Sequence, residues 1–467
     1  MYIVFLSAIL GHTQNKQLLY DFTRIPQVLM QNPGADTNYQ WHVGLPFLSG
    51  VYFNAGSSGF SVYDVFADDG VDINDKIRNV INKADSNDIM TINEQVEFLY
   101  GGFKGNYGWH EDNYYSFGWY QELSHFNYWP NDLAILAYDG NRNYIGESFN
   151  LSHASVKAEL VSVFHFGIQR EMSDRFTLGG RLKVYSGIAD VSSTNNKGRF
   201  FTEFSQRNEY KHSIIADLEL QTSGYKIIDA LEDGDNIADN LYQRFKERAF
   251  FGGNLGLGVD LGFSYRLDDQ WKLTASILDL GFIHHSKDVK NYTYKGRYDF
   301  EGLELLFPGV VDDNNDVYDY WQNLVDDLRD LYDTTSTRYT TLRPVKFNSS
   351  ISYSFGRPGG KICDCRATYR DYVNKVGMHL FMIHRPRYPQ TALTAYYQRR
   401  LTDFLDVKAT YTIDKFSYTN LGIGISSRIG KFNFYILADN LLEYENLAEA
   451  HNASVQLGLN YIVPGRN

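Results

Sequence analysis

The side chains in this chain that could do chemistry are scattered, and their spacing decides what they are worth. His165 lies between Phe164 and Phe166, and His284 and His285 are adjacent. A nucleophile needs a base within hydrogen-bond reach and a third group to orient it, and no such set is spaced together here. No Gly-x-Ser-x-Gly elbow, His-Glu-x-x-His, phosphate-binding loop or dinucleotide fingerprint is present. Gly252-Gly253-Asn254-Leu255-Gly256 is glycine-rich but runs straight into an alternating strand pattern, which does not suit a phosphate cradle. Cys363 and Cys365 stand one residue apart in a charged, glycine-rich stretch. That spacing strains a disulfide, and two thiolates fall short of a closed zinc site. The chain therefore reads as non-enzymatic, with no catalytic, cofactor-binding or metal residues. What remains is charge of both signs at regular spacing: Lys157 and Glu159 on one run, Arg175, Arg181 and Lys183 on the next, and Asp260 further on.

The elements that carry those charges share one pattern. Leu255, Leu257, Val259, Leu261, Phe263 and Tyr265 alternate with Gly256, Gly258, Asp260, Gly262 and Ser264. Successive strand residues point to opposite faces, so one face is apolar and the other small or polar. The same alternation runs through Phe176–Val184, Val407–Ile413, Leu421–Ser426, Phe432–Asp439 and Ala453–Val463. Runs of about 10 residues match a tilted strand crossing a bilayer. The polar face, rich in Gly, Ser, Thr and Asn, suits a confined wet lumen rather than open solvent. A charge on the lipid side would cost roughly 2–4 kcal/mol at the midplane, so the six charged residues above are expected to line the lumen, with ion pairing inside the barrel.

The reading is an all-β transmembrane antiparallel barrel. About seventeen strand-like runs can be traced, among them Leu133–Tyr138, Tyr210–Thr222 and Tyr292–Phe300. Bacterial barrels have even strand numbers, so about 14 are expected, with 12 to 18 possible. Helical spacing appears in Val71–Ala84, Ile228–Phe250 and Tyr318–Leu331, which read as loop insertions. The 36 Tyr and 31 Phe outweigh 10 Pro, and Tyr265, Trp271, Tyr396, Tyr397, Tyr411 and Tyr461 fall where strands end, as interfacial girdles require. A net charge of -12 argues against nucleic acid as a partner.

Tyr2–Leu10 is a short apolar run ending in Gly11-His12-Thr13-Gln14, similar to a secretory leader without its basic flank. Residues 1–13 are read as that signal, residues 14–467 as one barrel domain, and residues 14–40 as an irregular N-terminal segment. Pro46 and Gly179-Gly180 are the candidates for a kink that would open the wall sideways.

Three phrases carry a resemblance: Asn32-Pro33-Gly34-Ala35 after Ile25-Pro26-Gln27, Ser276–Ile283, and Ala438-Asp439-Asn440-Leu441-Leu442. They resemble a DUF5723-like family of Bacteroidetes-type outer-membrane barrels, which is distantly similar to PorV and PorP/SprF of type IX secretion and to FadL-type channels. The resemblance implies the outer membrane of a Gram-negative bacterium, with lipid and lipopolysaccharide around the barrel and protein partners in an envelope complex. It implies a role as a subunit of such a complex, in type IX secretion or outer-membrane assembly. The alternatives are a FadL-like channel for small hydrophobic molecules and a general porin. An open lumen would mark a channel, and a plugged lumen a scaffold. A sideways kink would mark hydrophobic transport.

Overall fold

The computed structural model describes residues 16–105, 113–204, 210–224, 245–301, 332–356, 372–446 and 448–465. Fourteen antiparallel strands form the wall. They are β1 (Tyr39–Gly44 and Val51–Ser57), β2 (Ile89–Lys104), β3 (Asn113–Tyr128), β4 (Val156–Ser173), β5 (Phe176–Ser193), β6 (Asn254–Arg266) and β7 (Trp271–His285). They continue as β8 (Tyr339–Leu342 and Lys346–Phe355), β9 (Asn374–Ile383), β10 (Gln390–Thr402), β11 (Leu405–Ile413), β12 (Asn420–Ile429), β13 (Phe432–Asp439) and β14 (Asn452–Pro464). Each strand pairs with its neighbours in sequence, and β14 closes on β1 from Trp41↔Val463 to Gly56↔Asn452. Closure leaves no edge and pairs the wall's backbone groups internally, as a hydrocarbon surround demands.

The alternation places the two faces as the physics requires. On β6, Leu255, Leu257, Val259 and Leu261 are 39–51% exposed on the outside, while Asp260 between them is fully buried within. The short turns after β4, β6, β10 and β12 share one end, and the long insertions share the other. At the short-turn end Trp41 stacks on Tyr461 at 5.3 Å, Trp271 lies 5.0 Å from Tyr353, and Phe103 lies 5.5 Å from Tyr115. These rings form one girdle. An apolar belt bounded by aromatic rings defines a membrane-spanning barrel. Tyr396 is the exception to the expected girdle. It points inward, 4% exposed, because its register puts it on the polar face of β10, where its hydroxyl donates to Asp21.

Beyond the loop end, short strands Ser148–Asn150, Lys197–Phe204, Tyr210–Ser223, Asn291–Glu301 and Tyr332–Thr335 build a second sheet. The runs at Tyr210–Thr222 and Tyr292–Phe300 thus belong to this sheet and not to the wall. Leu133–Tyr138 is not a strand either. Asn131–Tyr138 is a helix started by Pro130, and Leu133, Ile135 and Leu136 pack on Phe149, Leu151, Phe200 and Ala216 under the outer sheet. Val71–Ala84 is helical as its spacing predicts, over Ile73–Lys83, with Asp72 accepting from the Asn74 amide. Residues 1–13, Cys363, Cys365, residues 225–244 and Tyr318–Leu331 lie outside the described residues.

Candidate functional site: a filled lumen and a break in the wall

The lumen is occupied by the N-terminal segment. Residues 16–38 cross the interior before β1 begins, and Leu18, Leu19, Tyr20, Phe22, Ile25, Val28 and Leu29 are all at most 3% exposed. This segment has almost no regular structure, so its carbonyls need partners from the wall. Lys408 Nζ donates to the carbonyls of Leu18 (3.1 Å) and Tyr20 (2.6 Å), and Lys375 Nζ to that of Asp21 at 2.9 Å. Arg181 donates to the carbonyls of Leu29 (3.2 Å) and Met30 (2.8 Å), and Tyr100 to that of Pro26 at 2.9 Å. Tyr20 stacks on His379 at 4.2 Å.

The Asn32-Pro33-Gly34 turn explains two wall glycines. A Cβ on Gly179 would collide with the Pro33 carbonyl, and one on Gly262 with Asn32 Oδ1. Gly179 is therefore no kink. It sits within continuous pairing of β5 and lets the turn approach the backbone.

Above the segment a ladder of charges crosses the lumen. Arg181 meets Asp260 at 2.5 Å, Asp260 meets Lys183 at 2.9 Å, and Lys183 meets Asp279 at 2.6 Å. Asp279 continues to Lys346 at 2.9 Å, Lys346 to Glu122 at 3.3 Å, and Glu122 to Arg343 at 3.1 Å. Arg343 finally pairs with Glu159. Four cations alternate with four anions, so the ladder is neutral.

The sequence-derived residues divide accordingly. Glu159, Arg181, Lys183 and Asp260 are buried in the ladder, and Lys157 reaches the Leu342 carbonyl at 3.0 Å near the loop end. Arg175 stands apart from the ladder, on the wall of the space at the short-turn end. β5 starts at Phe176, so Arg175 sits exposed in the turn beside Asp174. Glu122, Asp279, Arg343 and Lys346 escaped the sequence reading. Asp279 enters the lumen through a bulge in β7 with φ of 61°, held by its amide donating to Asp260 Oδ1 at 2.7 Å.

The histidines that the sequence singles out lie in unlike surroundings. His165 is buried in the lumen wall, and His284 is on the outside of β7. His285 is enclosed among Ser223 Oγ (2.8 Å), Thr341 Oγ1 (2.9 Å) and Asp190 (4.0 Å), and ties the root of the outer sheet to the barrel.

The register of the wall jumps along β1. Gly44 pairs with Asn460 and Val51 with Leu457, so seven residue steps on β1 face three on β14 and four residues are surplus. The surplus loops out at Pro46-Phe47-Leu48-Ser49, while Leu459 bonds both sides of it, its carbonyl accepting from the Leu45 amide (2.9 Å) and its amide donating to the Leu48 carbonyl (2.7 Å). Leu45, Phe47 and Leu48 are 45%, 61% and 49% exposed on the lipid side, and Phe47 adopts a φ of 64°, a costly conformation for a bulky residue. Pro46 cannot donate to a ladder, which suits it to a break.

Behind the break stands Gln27, fully buried. Its amide donates to the Ser49 carbonyl (2.7 Å), Glu97 Oε2 (3.1 Å) and Asn460 Oδ1 (3.0 Å), and accepts from Asn460 Nδ2 at 3.0 Å. One side chain of the inserted segment thus clasps β1, β2 and β14.

Three spaces adjoin these features. A void of about 40 Å³ lies between the inserted segment and the loop end, bounded by Lys16, Met30, Phe381 and Arg385 among others. A polar vestibule of about 410 Å³ opens at the short-turn end, with Arg24, Asp36, Arg266 and Asp406 on its walls. An apolar cleft of about 450 Å³ runs between the barrel rim and the outer sheet, lined by Leu133, Val156, Leu218, Tyr292, Tyr294 and Tyr332.

The model of the family described as "Family of unknown function (DUF5723)" matches residues 33–439. No curated protein sequence matches the chain. Among solved structures, a Pseudomonas aeruginosa FadL homologue is similar with a TM-score of 0.43 and 8% identity, covering 94% of each chain. The Ralstonia pickettii toluene transporter TbuX gives 0.40 and 9% over 94% of each chain. The Pseudomonas putida toluene transporter TodX gives 0.37 and 9% over 94% of this chain and 93% of its own. The closed 14-strand register defines the fold of this chain independently of those likenesses.

Proposed function

The chain belongs to the DUF5723 family, and from that premise and its own geometry we propose that it is a non-enzymatic outer-membrane barrel of a Gram-negative bacterium that passes small hydrophobic molecules sideways into the bilayer. The observation that carries this reading is the break in β1. Among the described residues the lumen is filled and ion-paired, so a general porin is the poorest fit. The loop that bows out of β1, with Leu45, Phe47 and Leu48 exposed to lipid and Leu459 bonding across its base, is the place where an apolar solute could leave the wall without crossing water. The apolar cleft at the opposite rim supplies a surface to collect such a solute.

Proteoliposomes test this directly. Wild-type protein is expected to speed the transfer of N-phenyl-1-naphthylamine from a lipopolysaccharide surface into the bilayer several-fold over empty vesicles, while the same protein stays silent to ions in a planar bilayer. Ion conductance with no gain in probe transfer would reverse the assignment.

A second reading, a subunit of an envelope complex in type IX secretion or outer-membrane assembly, draws on the plugged lumen and the outer sheet. A stoichiometric companion in mild detergent extracts, identified by mass spectrometry, would support it.

A further inference from the structure

The polar vestibule at the short-turn end is built around two carboxylates, each shared by two cations. Asp36 pairs with Arg266 at the end of β6 and lies 3.8 Å from Lys272 at the start of β7. Asp406 on β11 lies 3.5 Å from Arg24 and 3.9 Å from Arg400 on β10. Lys375 borders the same space, and its Nζ donates to the neutral carbonyl of Asp21. Five cations thus face two carboxylates on the strands and the inserted segment. The turns around them have the opposite balance. Asp174, Asp268 and Asp269 stand exposed there, with Arg175 as the cation among them. Gln398 on β10 also borders the vestibule, is 8% exposed, and its Oε1 has no hydrogen-bond partner among the described residues. A buried acceptor in that state is costly unless something brings it a donor. The space of about 410 Å³ falls inside the range of roughly 300–1,000 Å³ typical of ligand sites.

We propose that this vestibule binds the C-terminal end of a periplasmic polypeptide. The short turns of outer-membrane barrels face the periplasm, so such a chain end reaches it directly. The terminal carboxylate meets the cations around Asp36 and Asp406, the last peptide N–H donates to Gln398 Oε1, and a basic side chain just upstream meets the acidic turns. A simple anion would match the inner cations but be repelled by the turns. The inference deepens the envelope-complex reading, naming the contact by which a companion would hold the barrel, and needs nothing of the sideways route.

Fluorescence anisotropy of the full-length protein in dodecyl maltoside tests it. The probe is the peptide Ala-Ala-Lys-Ala-Ala with a neutral N-terminal fluorophore, as the free acid and as the C-terminal amide. Charge-assisted hydrogen bonds predict a preference for the acid of about tenfold, shrinking at high salt. Lys272→Met and Arg400→Met each remove one cation while Arg266 and Arg24 stay on the carboxylates. Each should reduce the preference, the double substitution should abolish it, and Lys272→Arg should retain it. Asp174→Asn with Asp269→Asn should remove the advantage of the lysine peptide over penta-alanine and leave the acid preference intact. Heat-modifiable migration on gels confirms that each variant is folded. Equal binding of acid and amide by the wild type, a double cation variant that keeps the preference, or a lysine advantage that survives the turn substitutions overturns the assignment. A stoichiometric companion in mild extracts would then leave the envelope-complex reading standing, whereas no peptide binding and no companion overturns both.

Discussion

Deleting residues 16–37 should turn an ion-silent barrel into a conducting one. The inserted segment fills the lumen between the ladder and the short-turn end, and its side chains Leu18, Phe22, Ile25 and Val28 are at most 1% exposed, leaving no space beside them for a hydrated ion. With the segment gone, Lys408, Lys375 and Arg181 lose the carbonyls they now bond, and the cations they carry face a wet interior. Planar-bilayer recording should show discrete steps for the deletion and none for the wild type. Gly262→Val offers a milder route to the same state. Its Cβ would strike Asn32 Oδ1 and Pro33, dislodging the turn while leaving a residue that strands favour. A deletion variant that folds and stays silent would mean that the ladder and loops close the pore without the segment.

The second large effect is on stability. Asp260→Ala removes the carboxylate that Arg181 contacts through both Nε (2.7 Å) and Nη2 (2.5 Å), and Lys183 at 2.9 Å. It also removes the acceptor for the Asp279 amide at the β7 bulge. Stranding buried cations in this way costs about 3–5 kcal/mol. Urea titration of the protein in liposomes should show a loss of that size, and a loss under about 1 kcal/mol, the range of an exposed pair, would show that the ladder is hydrated and not structural.

The barrel could be read from the sequence because lipid on one side and a polar interior on the other impose a period of two on every wall strand. Leu255 to Tyr265 displays that period without interruption, and the burial of β6 alternates with it. The reading failed where one side had a different neighbour. Tyr210–Thr222 alternates because the outer sheet also has two unlike faces, which a single run cannot distinguish from a wall. Leu133–Tyr138 is apolar on both periods, and only its place after Pro130 hints at a helix. Within the candidate site, Arg181, Lys183 and Asp260 follow the strand period. Glu122 does too, since Ser116, Tyr120 and Ser124 share its face, so a signal for it existed. Asp279 did not, because the bulge brings Leu278 and Asp279 inward together and shifts the phase of β7. Arg343 and Lys346 flank Pro344, where β8 is interrupted and no alternation survives. Pro46 was visible as a breaker of pairing. Which residue stands behind it depends on the path of the inserted segment, and Gln27 is brought there only by the tertiary fold.

The break in β1 can be removed while the rest of the wall is kept. Deleting Pro46–Ser49 takes out the four surplus residues and leaves Leu45 and Gly50 opposite Leu459 and Gly458, so the alternation of β1 continues in register from Val43 to Val51. Transfer of N-phenyl-1-naphthylamine in proteoliposomes should fall to the rate of empty vesicles while the barrel remains folded and heat-modifiable. A straightened barrel that transfers the probe as fast as the wild type would contradict a sideways route through the wall.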